Sequence, residues 1–362
     1  MEKIVNNTCE IVISTSYKEF DIYKLLNKTY DKVAIITDEN VKQTQLDRFK
    51  RSLLSNNKFV KNNLSTIVIK PGEGSKSIKI YEELMNVLIE KNLSRKSVII
   101  ALGGGVVGDL AGFIASTYMR GIDVIQVPTT LLSQVDSSIG GKTGINLGNY
   151  KNIIGSFHQP KLTYINTQAL QTLPDNEFKS AISEVIKYGV IYDYDFLRYL
   201  SVNSEDIMSR KESNIYEVVK KCVTIKIDVV DKDEKENELR KILNFGHTFG
   251  HGIEKLLSIS HGDSVGIGMK IAFNLALIEG LIDEGYYSEF IEIVKRYSMI
   301  DYIPKNNIDK IENKIIEIMK KDKKNSFDKI NLILPVNRGT VIEINNISEE
   351  KIFNIIKEST NA

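Results

Sequence analysis

Residues 244 to 264 of this 362-residue chain read NFGHTFGHGIEKLLSISHGDS and carry His247, His251 and His261, three of its four histidines. Imidazoles four residues apart share one face of a helix, a familiar way to present two ligands to zinc. Spacing alone therefore pairs His247 with His251, while His261 offers a third imidazole. HTFGH lacks the glutamate of HExxH, so the metalloprotease reading fails. A candidate acid to complete a site is Glu184, in SAISEVIKYG, with Ile182, Val185 and Ile186 around it and Lys187 three residues on. Imidazoles, a carboxylate and an open position make a catalytic zinc set. The bland alternatives are a solvated helix glutamate and histidines hydrogen-bonded within a helical core.

A second candidate is GGGVVG at 103–108, which satisfies GxGxxG through Gly103, Gly105 and Gly108. It follows a strand-like run and opens a helix whose first amides suit a pyrophosphate. The usual ribose-binding acid, ~20 residues further on, is missing: the next strand ends at Pro128 and Asp123 precedes it. An earlier strand, in IITDEN, ends at Asp38, where a ribose hydroxyl could be met. A glycine turn that only lets strand and helix pack closely is the competing reading. SSIGGKTG is a near miss to a P-loop, because Asp136 stands where glycine is needed, which argues against a nucleoside triphosphatase. Its glycine amides and Lys142 remain suited to phosphate, and Gly148, Lys151 and Asn152 extend a polar, basic surface.

The elements that must position these groups fall into two halves. Through about residue 166, the runs IVIST, VAIITD, STIVIK, VIIAL and VIQVP alternate with helical patterns, which predicts a parallel sheet covered by helices on both faces. From Pro174 onward, long amphipathic stretches predict a mainly helical half, with a small β excursion at INLILP and TVIEI before a last helix. Length supports two cores. The halves, 1–170 and 171–362, are expected to pack closely around a cleft. The apolar segment 98–116 contains Asp109 and five glycines, so it is expected to be a buried strand, a glycine turn and a helix rather than a membrane span. Forty-eight basic and 47 acidic residues leave a net charge of +1, with no global field to gather nucleic acid or an anionic membrane. Cys9 and Cys222 have no CxxC spacing. With a polar N-terminal stretch unlike a secretory signal, they lead us to expect a cytoplasmic protein.

The pattern as a whole closely resembles the 3-dehydroquinate synthase family of the sugar phosphate cyclase superfamily. The resemblance runs in order from about residue 70 to 335, through GGGVVGDLAGFIASTYMRGI, QVPTTLLSQVDSSIGGKTGIN, YKNIIGSFHQP, SEVIKYG, NFGHTFGHGIE and HGDSVGIGM. It implies a Rossmann-like α/β domain that binds NAD, an α-helical domain that binds a divalent metal, zinc or cobalt, and an active site between them. It also implies a cytoplasmic homodimer of the shikimate pathway, which makes chorismate and the aromatic amino acids.

What the resemblance implies for single residues splits the spacing-based pair. The metal set becomes Glu184, His247 and His261, and His251 faces the substrate as a proton-transfer or oxyanion group. For NAD it points to Asp38, Gly72, Glu73, Lys76, Gly105, Val106, Val107, Gly108, Asp109, Thr129, Thr130, Lys142, Lys151, Ala169, Leu170, Gln171 and Thr172. The implied substrate, 3-deoxy-D-arabino-heptulosonate 7-phosphate, carries two anions. Lys142, Asn152, Lys323 or Lys324, and Arg120 reaching from a partner subunit would hold the phosphate. Lys226 and Arg240 would grip the carboxylate, Lys187 and Asn244 the ring hydroxyls, and Asp136 belongs to the same catalytic group. In HGDSVGIG, Asp263 stands where the family usually has glutamate. Lys226 and Arg240 argue against a related cyclase whose substrate lacks the carboxylate. A metal-dependent polyol dehydrogenase and a noncatalytic metal- or nucleotide-binding regulator are the other rivals.

Overall fold

The computed structural model describes residues 1–5, 9–148, 150–234, 236, 238–304, 308–321 and 330–360. Two compact units divide the chain discontinuously: Met1–Pro174 with Glu212–Asp231, and Asp175–Lys211 with Lys232–Ala362. Among the described residues no helix is long and apolar enough to cross a membrane.

The first unit is built on β1 (Glu2–Val5), β2 (Glu10–Ser14), β3 (Val33–Asp38), β4 (Leu64–Ile69), β5 (Val98–Gly103), β6 (Asp123–Pro128), a hairpin of β7 (Lys142–Leu147) and β8 (Tyr150–Phe157), and β9 (Leu162–Asn166). Seven of these form one sheet in the order β1-β2-β9-β6-β5-β3-β4, parallel except at the β1–β2 edge. Alternation explains why the central strands read as unbroken apolar runs. Val33, Ile35, Val98, Ile100 and Leu102 pack on one face with Phe49 and Leu53 of the helix Asp47–Asn56. Ala34, Ile36, Ile99 and Ala101 pack on the other with Leu84 and Leu88 of Ile78–Glu90 and Leu110 and Ile114 of Gly105–Thr117. Each fully buried aliphatic side chain stabilises this arrangement by about 1.5–3 kcal/mol.

Topology then fixes where a ligand can sit. β3 continues to β4 on one side, β5 continues to β6 on the other, and β3 and β5 are neighbours. Their carboxyl ends therefore flank a switch point, the crevice where open α/β sheets bind ligands.

Four strands lie beyond the five expected in this half. β9 inserts between β2 and β6, its polar Thr163 buried beside the Cys9 thiol at 3.8 Å. The β7–β8 hairpin escapes a propensity reading because two glycines, Gly144 and Gly155, face each other across it. A Cβ on Gly155 would stand 2.3 Å from the Thr143 carbonyl oxygen, so the close pairing requires glycine.

The second unit is helical, as expected. Its main helices are Asp175–Ile191, Tyr194–Val202, His247–Leu257, His261–Ile278, Glu284–Arg296, Ile311–Lys320 and Glu349–Thr360, with a hairpin of β10 (Leu332–Asn337) and β11 (Thr340–Ile344). Phe245, Phe249, Phe273 and Phe290 fill its core, and the rings of Phe273 and Phe290 stack with centroids 3.8 Å apart. The helix Glu212–Lys232, by contrast, belongs to the first unit over 212–231, where Lys220 pairs with Glu2 at 2.9 Å.

Candidate active site

In the helical unit, three helices bring Glu184, His247 and His261 together. Glu184 lies in the middle of Asp175–Ile191, and each histidine is the first residue of its helix. Glycines set how closely these helices approach. A Cβ on Gly262 would lie 1.8 Å from the Ser180 carbonyl oxygen, one turn before Glu184, and a Cβ on Gly268 would lie 2.0 Å from that of Gly246. Gly246 also holds a left-handed φ of 76°, which turns the chain into His247. The start of the His261 helix is fixed by Ser260, whose hydroxyl accepts from the Asp263 amide at 3.1 Å and donates to its carboxylate at 2.5 Å. Asp263 thus ties the N-cap hydroxyl to the first turn of the helix through both its amide and its carboxylate.

One ligand atom from each of Glu184, His247 and His261 lies within 4.8 Å of the others. Glu184 Oε1 is 3.3 Å from His247 Nε2 and 3.4 Å from His261 Nε2. Each outer ring nitrogen is already engaged, His247 Nδ1 with the Phe245 carbonyl oxygen at 3.0 Å and His261 Nδ1 with Glu254 Oε2 at 2.9 Å. With Nδ1 donating, both Nε2 lone pairs turn inward. Glu184 is 1% exposed, yet neither carboxylate oxygen accepts a well-aligned hydrogen bond from the described residues. A buried carboxylate left so, between two inward lone pairs, suits a divalent cation.

The electrostatics agree. Burial opposes ionisation of Glu184, but the Lys187 ammonium against its Oε2, and then His247, hold it well below the usual carboxylate range. Burial takes His247 down to about 4 despite Glu184, so its ring is neutral. His261 also meets a burial penalty, which the nearby Glu184 and Glu254 carboxylates overcome, raising it to about 10 among the protein groups alone. His251, one turn beyond His247, has its ring centroid 5.3 Å from that of His247 and 6.2 Å from that of His261. It lies beside the trio without belonging to the set of converging ligand atoms. Nearby in the chain, Asn244 Nδ2 donates to Glu236 Oε1 at 2.7 Å, and Arg240, 2% exposed, donates to the Glu234 carbonyl oxygen.

In the α/β unit, expected nucleotide residues gather at the strand ends. Gly104 caps the helix Gly105–Thr117 without a side-chain hydrogen bond, so its first amides face outward. Thr37 pairs with Leu102, which places Asp38 beside the glycine turn although the paired residues lie 65 positions apart in the chain. Asp38 Oδ1 accepts from the Asn40 and Val41 amides at 2.9 Å each, leaving Oδ2 as the outward oxygen. The Thr129 amide donates to the Gly103 carbonyl oxygen at 3.0 Å, and Thr129 Oγ1 is buried without a hydrogen-bond partner among the described residues. Thr130 is tied to Ser133.

Lys76, 3% exposed, pairs with Asp109 at 2.7 Å and Glu73 at 3.6 Å, and also donates to Asn152 Oδ1. Asn146 closes this cluster, donating to Glu73 Oε1 and accepting from the Asn152 amide, each at 2.8 Å. Burial raises Asp109 above the ordinary carboxylate value, with Lys76 opposing. Gly72, at φ 97°, turns the chain into Glu73. Val107 is buried under Gly103, the Gly108 carbonyl oxygen accepts from the Gln126 side-chain amide at 3.1 Å, and Val106 precedes them on the helix. Ala169, Leu170, Gln171 and Thr172 lie on the 3-10 turn Thr167–Thr172, where Gln45 Nε2 donates to Thr172 Oγ1 at 2.6 Å. Lys226 donates to Asp136 Oδ1 at 2.7 Å. Lys142 and Lys151 are exposed on the hairpin, and Arg120 is exposed at a left-handed turn, φ 68°. Lys323 and Lys324 lie outside the described residues.

Sequence reasoning passed over Glu254, Glu236, Asn146 and Ser137. Glu254 had a signal, since it lies seven residues after His247 on the same helical stripe. Ser137 had none. Its hydroxyl is buried without a hydrogen-bond partner among the described residues, 3.1 Å from where a Cβ on Gly105 would stand.

Comparison with known proteins agrees with this geometry. Residues 66–180 match the family model of the 3-dehydroquinate synthase N-terminal domain, and residues 181–325 match that of its C-terminal domain. The chain is 43% identical over 348 residues to a 3-dehydroquinate synthase of Thermoanaerobacter sp. (strain X514), covering 94% of this chain and 95% of that one. It is 45% identical over 318 residues to one of Alkaliphilus metalliredigens (strain QYMF), covering 87% and 86%. In fold it is similar to ValA, a 2-epi-5-epi-valiolone synthase from Streptomyces hygroscopicus subsp. jinggangensis 5008 with NAD+ and Zn2+ bound, at a TM-score of 0.86, 20% identity and coverage of 99% and 98%. It is likewise similar to a 2-deoxy-scyllo-inosose synthase complexed with carbaglucose-6-phosphate, NAD+ and Co2+, at 0.86, 23% identity and 99% coverage of each chain.

Proposed function

The chain belongs to the 3-dehydroquinate synthase family, and from that premise we propose how its residues divide the work of the reaction. It is an NAD- and divalent-metal-dependent phosphorus–oxygen lyase that converts 3-deoxy-D-arabino-heptulosonate 7-phosphate to 3-dehydroquinate and phosphate. When bound, NAD and the metal supply a reversible hydride acceptor and a Lewis acid for transient oxidation of a ring carbon, which acidifies the neighbouring proton before phosphate leaves. Re-reduction and intramolecular aldol closure follow, and the cofactor ends as it began.

Glu184, His247 and His261 hold the metal, most simply Zn2+, in this proposal. Its support is the convergence of two inward Nε2 atoms on a buried carboxylate without well-aligned hydrogen bonds. NAD lies along the switch point. There Asp38 Oδ2 meets a ribose hydroxyl and the amides at Gly105 to Gly108 meet the pyrophosphate. Glu73, Lys76, Asp109, Thr129, Thr130, Lys151 and Thr172 line the remainder. Residues 1–170 are assigned to NAD binding and 171–362 to metal and substrate, with the helix Glu212–Lys232 serving the first unit through Lys226.

Lys142, Asn152, a lysine at 323 or 324, and the partner subunit's Arg120 neutralise the substrate phosphate. Arg240 offers the carboxylate a bidentate grip, and Lys226, steadied by Asp136, adds a point charge. Lys187 and Asn244 orient ring hydroxyls. His251, outside the metal set, exchanges the proton. The assignment includes a cytoplasmic homodimer with no nucleic-acid or membrane partner.

A test uses the purified protein with NAD+ and Zn2+. Phosphate release from the heptulosonate phosphate without accumulation of NADH is expected. Steady NADH production would indicate a polyol dehydrogenase, and release only from a heptulose phosphate lacking the carboxylate would indicate another cyclase. Restored growth without aromatic amino acids in a strain lacking this step is the matching result in cells.

A further inference from the structure

His261 is the imidazole of the trio whose orientation the fold fixes least. Its side chain is 35% exposed, against 13% for His247, and it follows the three-residue connection 258–260 that joins the two histidine-bearing helices. His247 needs little help, since the carbonyl oxygen of Phe245, two residues away, holds its Nδ1. Nothing so local serves His261. Its Nδ1 is held instead by Glu254 Oε2 at 2.9 Å, from the preceding helix.

Glu254 occupies an unfavourable place for an acid. It lies in the last turn of His247–Leu257, where the carbonyl end of the helix disfavours negative charge. Its side chain is 15% exposed, so solvent screens that charge poorly. A half-buried carboxylate at the wrong end of a helix favours a donor, and the imidazole N–H supplies one. The same hydrogen bond fixes the tautomer, leaving the Nε2 lone pair 3.4 Å from Glu184 Oε1. An anionic acceptor also makes the imidazole a stronger donor to a cation than a carbonyl acceptor does.

We propose that Glu254 is a positioning residue for the metal site, orienting His261 and strengthening it as a ligand through a carboxylate–imidazole hydrogen bond. The proposal rests on the assignment of Glu184, His247 and His261 as the metal set. Zn2+ affinity of the full-length, metal-stripped protein, measured by competition with a chromophoric chelator, tests it without recourse to turnover. Glu254→Ala should weaken Zn2+ about 10- to 100-fold. Glu254→Gln, which keeps an acceptor but not the charge, should recover part of that loss. The visible spectrum of the Co2+-loaded protein should shift in the alanine variant and move back towards the parent in the glutamine variant. Zn2+ affinity of the alanine variant within about twofold of the parent would overturn the proposal, since outer partners of metal ligands ordinarily matter by tenfold or more. So would a loss matched by a lower unfolding midpoint of the metal-free protein and unrelieved by glutamine, because that describes a merely structural side chain. His247→Ala separates this result from the underlying assignment: if that variant keeps its Zn2+, the ligand set itself is wrong.

Discussion

The polar cluster at the strand ends and the metal trio among the helices are built on opposite plans. Around Lys76, an ammonium, two carboxylates and two side-chain amides satisfy one another, joined by contacts between residues up to 76 positions apart. Around Glu184, each imidazole has its outer nitrogen held and its inner one turned toward a carboxylate that lacks well-aligned hydrogen bonds. A self-satisfied cluster is a rigid wall that a ligand lies against, whereas convergent unsatisfied donors suit a cation that completes them. The first kind should therefore fail by losing stability, and the second by losing its metal.

Removing a metal ligand should have the largest effect. His247→Ala should lose Zn2+ in chelator competition and lower kcat/KM by about a thousandfold or more, since a metal's charge stabilisation is worth several kcal/mol. The fold should survive, as circular dichroism would show. Lys76→Ala should do the reverse, destabilising the protein by about 3–5 kcal/mol in urea by leaving Asp109 buried without its main counter-charge. Adding Asp109→Asn should recover part of that loss, whereas a fully additive double variant would break the contrast. His251→Ala should lower kcat by about a hundredfold while leaving bound Zn2+ unchanged. If it emptied the site, the i, i+4 pairing would be the correct one.

A smaller signature lies in the protons. The metal-free His261 holds its proton up to about pH 10, whereas His247 is neutral above about pH 4. Zn2+ binding at neutral pH should therefore release one proton from the histidines, measurable by calorimetry in buffers of different ionisation enthalpy. The sign for stability follows. The folded value of His261 is above the unfolded ~6.5, so its ion pairs stabilise the metal-free protein fully below that pH and fade as pH rises toward 10. Glu184 runs the other way, its contribution present above the unfolded ~4.3 and lost as pH falls through its lowered folded value. Least of all, Ser260→Ala should cost about 0.5–2 kcal/mol as a lost helix cap.

The sequence alone determined the parallel strands β3, β4, β5 and β6, the glycine turn, the helical second half, the histidine-bearing segment and, through ordered motifs, the family. These are legible because apolar runs, glycine spacing and helical periodicity are local properties of the chain. The β7–β8 hairpin was not legible, since the paired glycines Gly144 and Gly155 suppress strand propensity where neighbours override it, whereas β9 was passed over although Thr163, Tyr164 and Ile165 are strand-forming types. Tertiary structure alone decided which acid meets the glycine turn. Strand order sets Asp38 beside Gly103, although the residue count suggests no such pairing. It also decided how the histidines divide. Spacing puts His247 and His251 on one face, but which face meets Glu184 depends on three helices approaching through Gly246, Gly262 and Gly268. That approach turns His247 and His261 inward, sets His251 to one side and gives Glu254 a partner on the next helix. Side-chain period is written into the sequence, but the convergence of atoms from distant segments is fixed only when the helices pack.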